Sequence, residues 1–230
     1  MGKELSDIEA EVNLLKEKLQ PLLKAQFQSS RDAFLGHPDN TRKALAMLGQ
    51  NGWYISLDME ISATYEVFRQ LEDGKLNEVD ESMCAFYEER LDEIEKQLIE
   101  SFPHRSHILD SAFTAHQRAE YELAVPVFLS QADGICLELT DFQLYRRKEG
   151  QPTTAGFVEQ LAADSIIKVL LEPLRVPLPI TASLKERNDY PCALNRHQIL
   201  HGQSVDYGTK TNSYKAISLL HYVYSVLSKL

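Results

Sequence analysis

The sequence predicts an all-α protein on three observations. Apolar residues recur at steps of three and four over most of the chain, no useful stretch alternates apolar and polar, and Pro and Gly punctuate the runs where helices should stop. Leu5, Ile8, Val12, Leu15, Leu19 and Leu22 form one such stripe, which Pro21 should kink or end. It is too short for a committed coiled coil and reads as a core or partner-helix face. The next helix is expected to start at an Asn40-Thr41 cap and reach about Leu48, with Gly49 and Gly52 interrupting before Trp53. Another covers roughly Ser62 to Leu71 and stops at Asp73-Gly74.

From Glu81 to Phe102, Met83, Tyr87, Leu91, Ile94, Leu98 and Phe102 keep helical spacing, and Glu88, Glu89, Asp92, Glu93 and Glu95 make a solvated face between them. Pro103 closes the run. It marks the expected boundary between an acidic N-terminal helical module, 1–103, and a second helical bundle, 104–230. Helices follow over Ile108 to Glu120, Tyr121 to Leu139 and Phe157 to Leu171, with 146–156 an exposed connection between the last two. Pro173, Pro177 and Pro179 impose an extended crossing. Pro191 as first helical residue and Gly202 after the last turn frame a short helix over 191–201. Asn212 is expected to cap a final helix to about Lys229.

The formal charge of −10 comes from 24 basic and 34 acidic residues among 230. Spread evenly, it would argue against nucleic acid, since phosphate contacts need Lys and Arg. It is not spread evenly. Residues 1–103 hold 11 basic and 21 acidic residues, whereas 104–230 hold 13 of each and six of the seven histidines. Cys84, Cys136 and Cys192 are too few and too scattered for a disulfide framework or a CxxC zinc site, which implies reduced thiols and a cytoplasmic address. The N-terminus MGKELSDIEAEV lacks the apolar core of a signal peptide, and no membrane span is expected.

The segment with most chemistry is Asn195-Arg196-His197-Gln198-Ile199-Leu200-His201, an Arg followed after four residues by a His. With four to six residues allowed between Arg and His, spacing alone is weak, about one chance match for a chain of this composition, and Arg31 with His37, five residues between them, supplies a second beside the loop formers Gly36 and Pro38. Context selects Arg196. The string NRHQILHGQSVDYGTKTNSYKAISLLHY resembles the closing helix pair of a bacterial branch of HEPN domains, the nucleotide-binding and ribonuclease helical bundles of higher eukaryotes and prokaryotes. Upstream, FPHRSHILDSAFTAHQRAEYELAVPVFLSQADGIC resembles the opening helices of that branch, including Pro126 within an apolar helix and the Asp133-Gly134 that ends it. The resemblance covers about residues 102–230. His197 stands where the family more often has Asn or Asp.

The resemblance implies a metal-independent ribonuclease of the defence or toxin kind, with no cofactor, in which an RNA 2′-hydroxyl attacks its own 3′ phosphate. It also implies a site composed by a homodimer, and an antitoxin or regulatory partner. His201, with an ordinary pKa near ~6.5, would move protons, and Arg196 would meet the phosphorane charge. His197 and Asn195 would support them. Tyr207, Asn212, Arg146 and Arg147 are expected substrate contacts, the arginines as part of the basic run Arg146-Arg147-Lys148.

Helical geometry checks this assignment. At about 100° per residue, Arg196 and His201 diverge by about 140°, whereas His197 and His201 share a face. Either His201 swings inward at Gly202 or a second copy supplies the missing group. No third donor sits at ligand spacing to make His197 and His201 a zinc site. Arg196 falls in an apolar arc with Cys192, Ala193, Ile199 and Leu200 and therefore needs a partner. Two other readings stay open: a non-catalytic RNA- or nucleotide-binding or scaffolding module, and an interaction protein working through the Leu5 to Leu22 stripe.

Overall fold

The computed structural model describes residues 38–161, 166–183 and 185–230. The Leu5 to Leu22 stripe and the Arg31/His37 pair lie outside the described residues. The fold is all-α: helices dominate, and the described residues form one two-stranded sheet.

Helix α1 (Pro38–Gln50) already contains Asn40 and Thr41, which were expected to cap it. It continues through Gly49, where any Cβ would press on the Leu178 side chain at 2.9 Å. That glycine serves close packing rather than helix termination. Helix α2 (Ile61–Glu72) ends at Asp73 and the left-handed Gly74, as its sequence predicts.

The run expected as one helix over 81–102 is two, α3 (Leu76–Glu89) and α4 (Leu91–Ser101). Arg90 breaks it at φ −111°, with its guanidinium 4.1 Å from the Phe86 ring centroid and one Nη donating to the Phe86 carbonyl. The apolar phase survives the break, for Met83, Tyr87, Leu91, Ile94, Leu98 and Phe102 are all buried.

Helices α5 (Ser106–Gln117) and α6 (Tyr121–Thr140) follow a 3-10 turn at Pro103–Arg105. α6 is long and apolar enough to cross a membrane by length and composition, but half of it is buried within the protein. Pro126 lies inside it and cannot donate to the carbonyl four residues back. The orphaned Glu122 carbonyl is taken by the Tyr207 hydroxyl at 3.0 Å.

The connection expected at 146–156 contains a hairpin, β1 (Arg147–Lys148) against β2 (Gln151–Pro152). Its turn residues Glu149 and Gly150 both have positive φ, the geometry that tight hairpins require. Strands of two residues leave no periodic signal. Helix α7 (Thr154–Gln160) starts before the expected Phe157, and α8 (Ile166–Leu170) follows. The proline crossing is not simply extended, because Glu172–Leu174 and Pro179–Thr181 each wind into a 3-10 turn.

The last two helices are α9 (Arg196–Leu200) and α10 (Lys210–Leu227). α10 is capped by Thr209, whose hydroxyl accepts the Asn212 N–H at 3.1 Å; the expected cap, Asn212, is the third helical residue. α10 packs most extensively on α6 and is buried almost throughout. Several of its polar side chains meet partners across the core. Lys215 meets Asp80 at 3.1 Å, where Trp53 Nε1 also donates at 2.7 Å, and His221 Nε2 lies 3.1 Å from an Asp58 oxygen. Ser213 pairs with His116 Nδ1 at 2.7 Å. Burial pushes the His116 imidazole down to about 4, with nearby Lys210 acting in the same direction. Residues on both sides of Pro103 contribute to this one hydrophobic cluster.

Candidate functional site

The helix expected over 191–201 begins only at Arg196. Asn195 fixes that start: its Oδ1 accepts the Gln198 N–H at 3.1 Å while its backbone stays extended. The other end of the same amide donates to the carbonyls of Pro179 (2.7 Å) and Ala182 (2.9 Å). One buried side chain thus caps α9 and ties it to the 179–182 turn. At the far end, Gly202 adopts φ +66° and closes the helix as its sequence predicts. Pro191 to Leu194 lie outside the helix, so Cys192 and Ala193 do not share a helical face with Arg196.

The 179–182 turn and α9 enclose an open cleft of about 640 Å³, lined by Tyr145, Arg147, Ser183, Lys185, Glu186, Arg196 and His197 among others. Among the described residues its charged lining is three permanent cations and one acid. The cleft therefore carries an excess of positive charge in a chain whose formal charge is −10.

Arg196 has the partner that its apolar surroundings demand, and that partner is aromatic. Its guanidinium carbon sits 5.3 Å from the Tyr145 ring centroid, and the ring is locked because the Tyr145 hydroxyl donates to the Leu129 carbonyl at 2.9 Å. Burial holds that phenol well above its usual range, so it stays protonated and keeps donating. The Arg196 Nε is buried with no hydrogen-bond acceptor. Among the described residues no carboxylate pairs with Arg196, and the part of it that lines the cleft can meet an incoming oxyanion.

His197 and His201 do share a face, with ring centroids 4.3 Å apart. Both are exposed. His197 lines the cleft beside Arg196, whereas His201, at the C-cap of α9, is not among the lining residues. One copy of the helix therefore brings Arg196 together with His197 and leaves His201 aside. Two imidazoles 4.3 Å apart cannot stand on opposite sides of a phosphate, so a single helix could supply at most one of two opposed proton-transfer groups.

The remaining expected contacts divide. Arg147 lines the cleft but is committed: its two Nη atoms donate to both Glu186 oxygens at 2.6 and 3.0 Å, and further bonds go to the Gly150 carbonyl. Ser183 adds its N–H at 3.0 Å and its hydroxyl at 2.8 Å to the same carboxylate. The Arg147 hydrogen bonds, with those from Ser183, pull the Glu186 carboxyl down to about 2. Arg146 is exposed outside the cleft lining. Tyr207 and Asn212 are also outside it. Tyr207 serves the Glu122 carbonyl and so fastens the 203–209 loop to α6, while Asn212 Nδ2 donates to the Tyr207 carbonyl at 3.0 Å and fastens the loop to α10.

Sequence reasoning missed Tyr145, Ser183, Lys185 and Glu186. Only the adjacent basic run 146–148 pointed to their neighbourhood. Among the described residues no group of three or more His, Cys, Asp or Glu side chains is placed to hold a metal ion. Comparison of the chain with protein-family models, with curated proteins and with solved structures gave no match.

Proposed function

We propose that the protein binds RNA through its phosphates at the Arg196 cleft and, as a pair of copies, cleaves it by 2′-hydroxyl attack. The observation that carries this reading is the Arg196 guanidinium, over the Tyr145 ring and with no carboxylate partner among the described residues, next to an imidazole at a cation-rich opening. Arg196 would hold a phosphate oxygen and meet the charge that develops in the transition state. His197, within the cleft, is the nearer proton-transfer group of the same copy. The second proton position is assigned to the His201 of another copy, because His201 is not among the residues that line the cleft with Arg196. The HEPN resemblance implies the same division between protomers.

The test is incubation of the full chain with RNA in chelator, beside Arg196→Ala, His197→Ala and His201→Ala variants. All three should lose cleavage, and Arg196→Ala should also lose RNA affinity. Cleavage unchanged in the His201 variant, or by a monodisperse monomer, sinks the two-copy mechanism. A second reading, a non-catalytic RNA or nucleotide binder, is favoured by His201 standing outside the cleft. It predicts Arg196-dependent binding with no cleavage at any protein concentration.

A further inference from the structure

The cleft contains an anion site that the chain itself already fills. Four donors converge on one carboxylate: both Nη atoms of Arg147, and the N–H and hydroxyl of Ser183, all on Glu186. A bidentate guanidinium with a backbone N–H and a hydroxyl is the donor set that proteins use for phosphate. Here the acceptor is an acid from the same turn, three residues after Ser183. We propose that Arg147 and Ser183 form a receptor for a terminal phosphate, and that Glu186 occupies it as a built-in competitor until that phosphate displaces it.

Three observations separate this from an ordinary loop-closing ion pair. First, among the described residues Glu186 is the one acid in the cleft lining, and beyond it stand Lys185 and Arg196, neither joined to a carboxylate among the described ion pairs. With Glu186 in place the lining carries two uncompensated cations. With Glu186 displaced it carries three, enough to take a doubly charged monoester and a neighbouring phosphate together. Second, the Glu186 side chain is 39% exposed while Arg147 is 15% exposed. The donor is set into the wall and the acid approaches from solvent, so the carboxylate can leave without uncovering core. Third, about 640 Å³ is room for a nucleotide-sized ligand, far more than a structural ion pair needs.

The inference rests on the reading of this cleft as a phosphate site, and it adds which phosphate: a chain end or a free monoester, held by Arg147 and Ser183. An internal diester has one negative charge and no end to insert beneath Glu186. A monoester has the second charge needed to outcompete a carboxylate.

The test measures inorganic phosphate binding by calorimetry to the unaltered full chain, Glu186→Gln, and Glu186→Gln combined with Arg147→Gln. Removing the competing charge should raise phosphate affinity about tenfold, and the second change should abolish the gain. Short RNAs with a 5′-phosphate or a 5′-hydroxyl distinguish the sources. A gain in Glu186→Gln confined to the phosphorylated RNA assigns the receptor to an RNA end. A gain for inorganic phosphate with neither RNA affected assigns it to a free phosphate compound. Equal phosphate affinity in Glu186→Gln and the unaltered chain overturns the proposal, as does a gain that survives loss of Arg147. Should Glu186→Gln not fold, phosphate titrated into the unaltered chain must shift the Ser183 amide resonance, and an unmoved resonance overturns the proposal equally. Whether the cleft binds RNA at all is decided separately by Arg196→Ala, so the two can fail independently.

Discussion

Acidification from pH 7.5 to 5 should cost this protein about 2 kcal/mol of stability through one buried histidine. His116 is 4% exposed, packs edge-on against Tyr214 at 4.6 Å between centroids, and pairs through Nδ1 with Ser213. Its imidazole is pushed down to about 4 in the folded chain by burial, whereas an unfolded chain protonates it near ~6.5. At pH 5 the unfolded ring is protonated about thirty to one and the folded ring in about one molecule in ten, which gives the figure above. The sign follows from proton counting: between these two values the unfolded state binds more protons, so stability rises with pH and is lost as pH falls from about 6.5. Carboxylates held low, such as Asp58 beside His221, act in a different window, because unfolded carboxylates protonate only near pH 4. Urea unfolding at pH 7.5, 6.5, 5.5 and 5 checks this, with His116→Asn as comparison. Its amide reaches Ser213 but does not titrate. The variant should be less stable throughout, from lost ring packing, and its stability should depend less on pH by about 2 kcal/mol over that range. Parallel pH profiles for the two proteins would refute the reasoning.

Three further outcomes follow from the packing. Asp80→Ala strands the buried Lys215 ammonium and the Trp53 N–H, and should cost about 3–5 kcal/mol by denaturant unfolding, far beyond a surface charge deletion. Tyr207→Phe should cost about 1 kcal/mol or less, and measurably less again in a Pro126→Ala background, where the restored N–H at position 126 takes the Glu122 carbonyl itself. Tyr145→Phe keeps the platform under Arg196 and should leave RNA affinity within about twofold, whereas Tyr145→Leu should weaken it severalfold, as read by fluorescence anisotropy.

The helical phase of this chain is legible because burial imposes it: the six apolar positions from Met83 to Phe102 are all buried even though the helix they suggest is broken in the middle. The break itself was not legible, since it comes from the Arg90 side chain taking a carbonyl from its own helix. Turn chemistry was read correctly at Gly74 and Gly202, where glycine takes positive φ, and misread at Gly49 and Gly134, which lie inside helices, and at Asn195 and Thr209, where a side chain decides it. The candidate site divides in the same way. Arg196 and His197 meet because they are neighbours on a helix, and any reading of the motif finds them. Tyr145, Ser183 and Glu186 reach the cleft from two other segments, and nothing local in the sequence announces a partner 39 residues away.

Asn195 gives the cleft a mechanical property. Its amide joins the 179–182 turn to the first turn of α9 with no slack, since both donors and the acceptor are in use. The width of the opening and the intactness of the helix that carries Arg196 are consequently one coordinate rather than two. A ligand that wedges the walls apart must fray α9 at its start, and a ligand that draws Arg196 inward must narrow the gap. Amide exchange at Gln198, whose N–H rests on the Asn195 oxygen, is therefore a gauge of how far the mouth stands open.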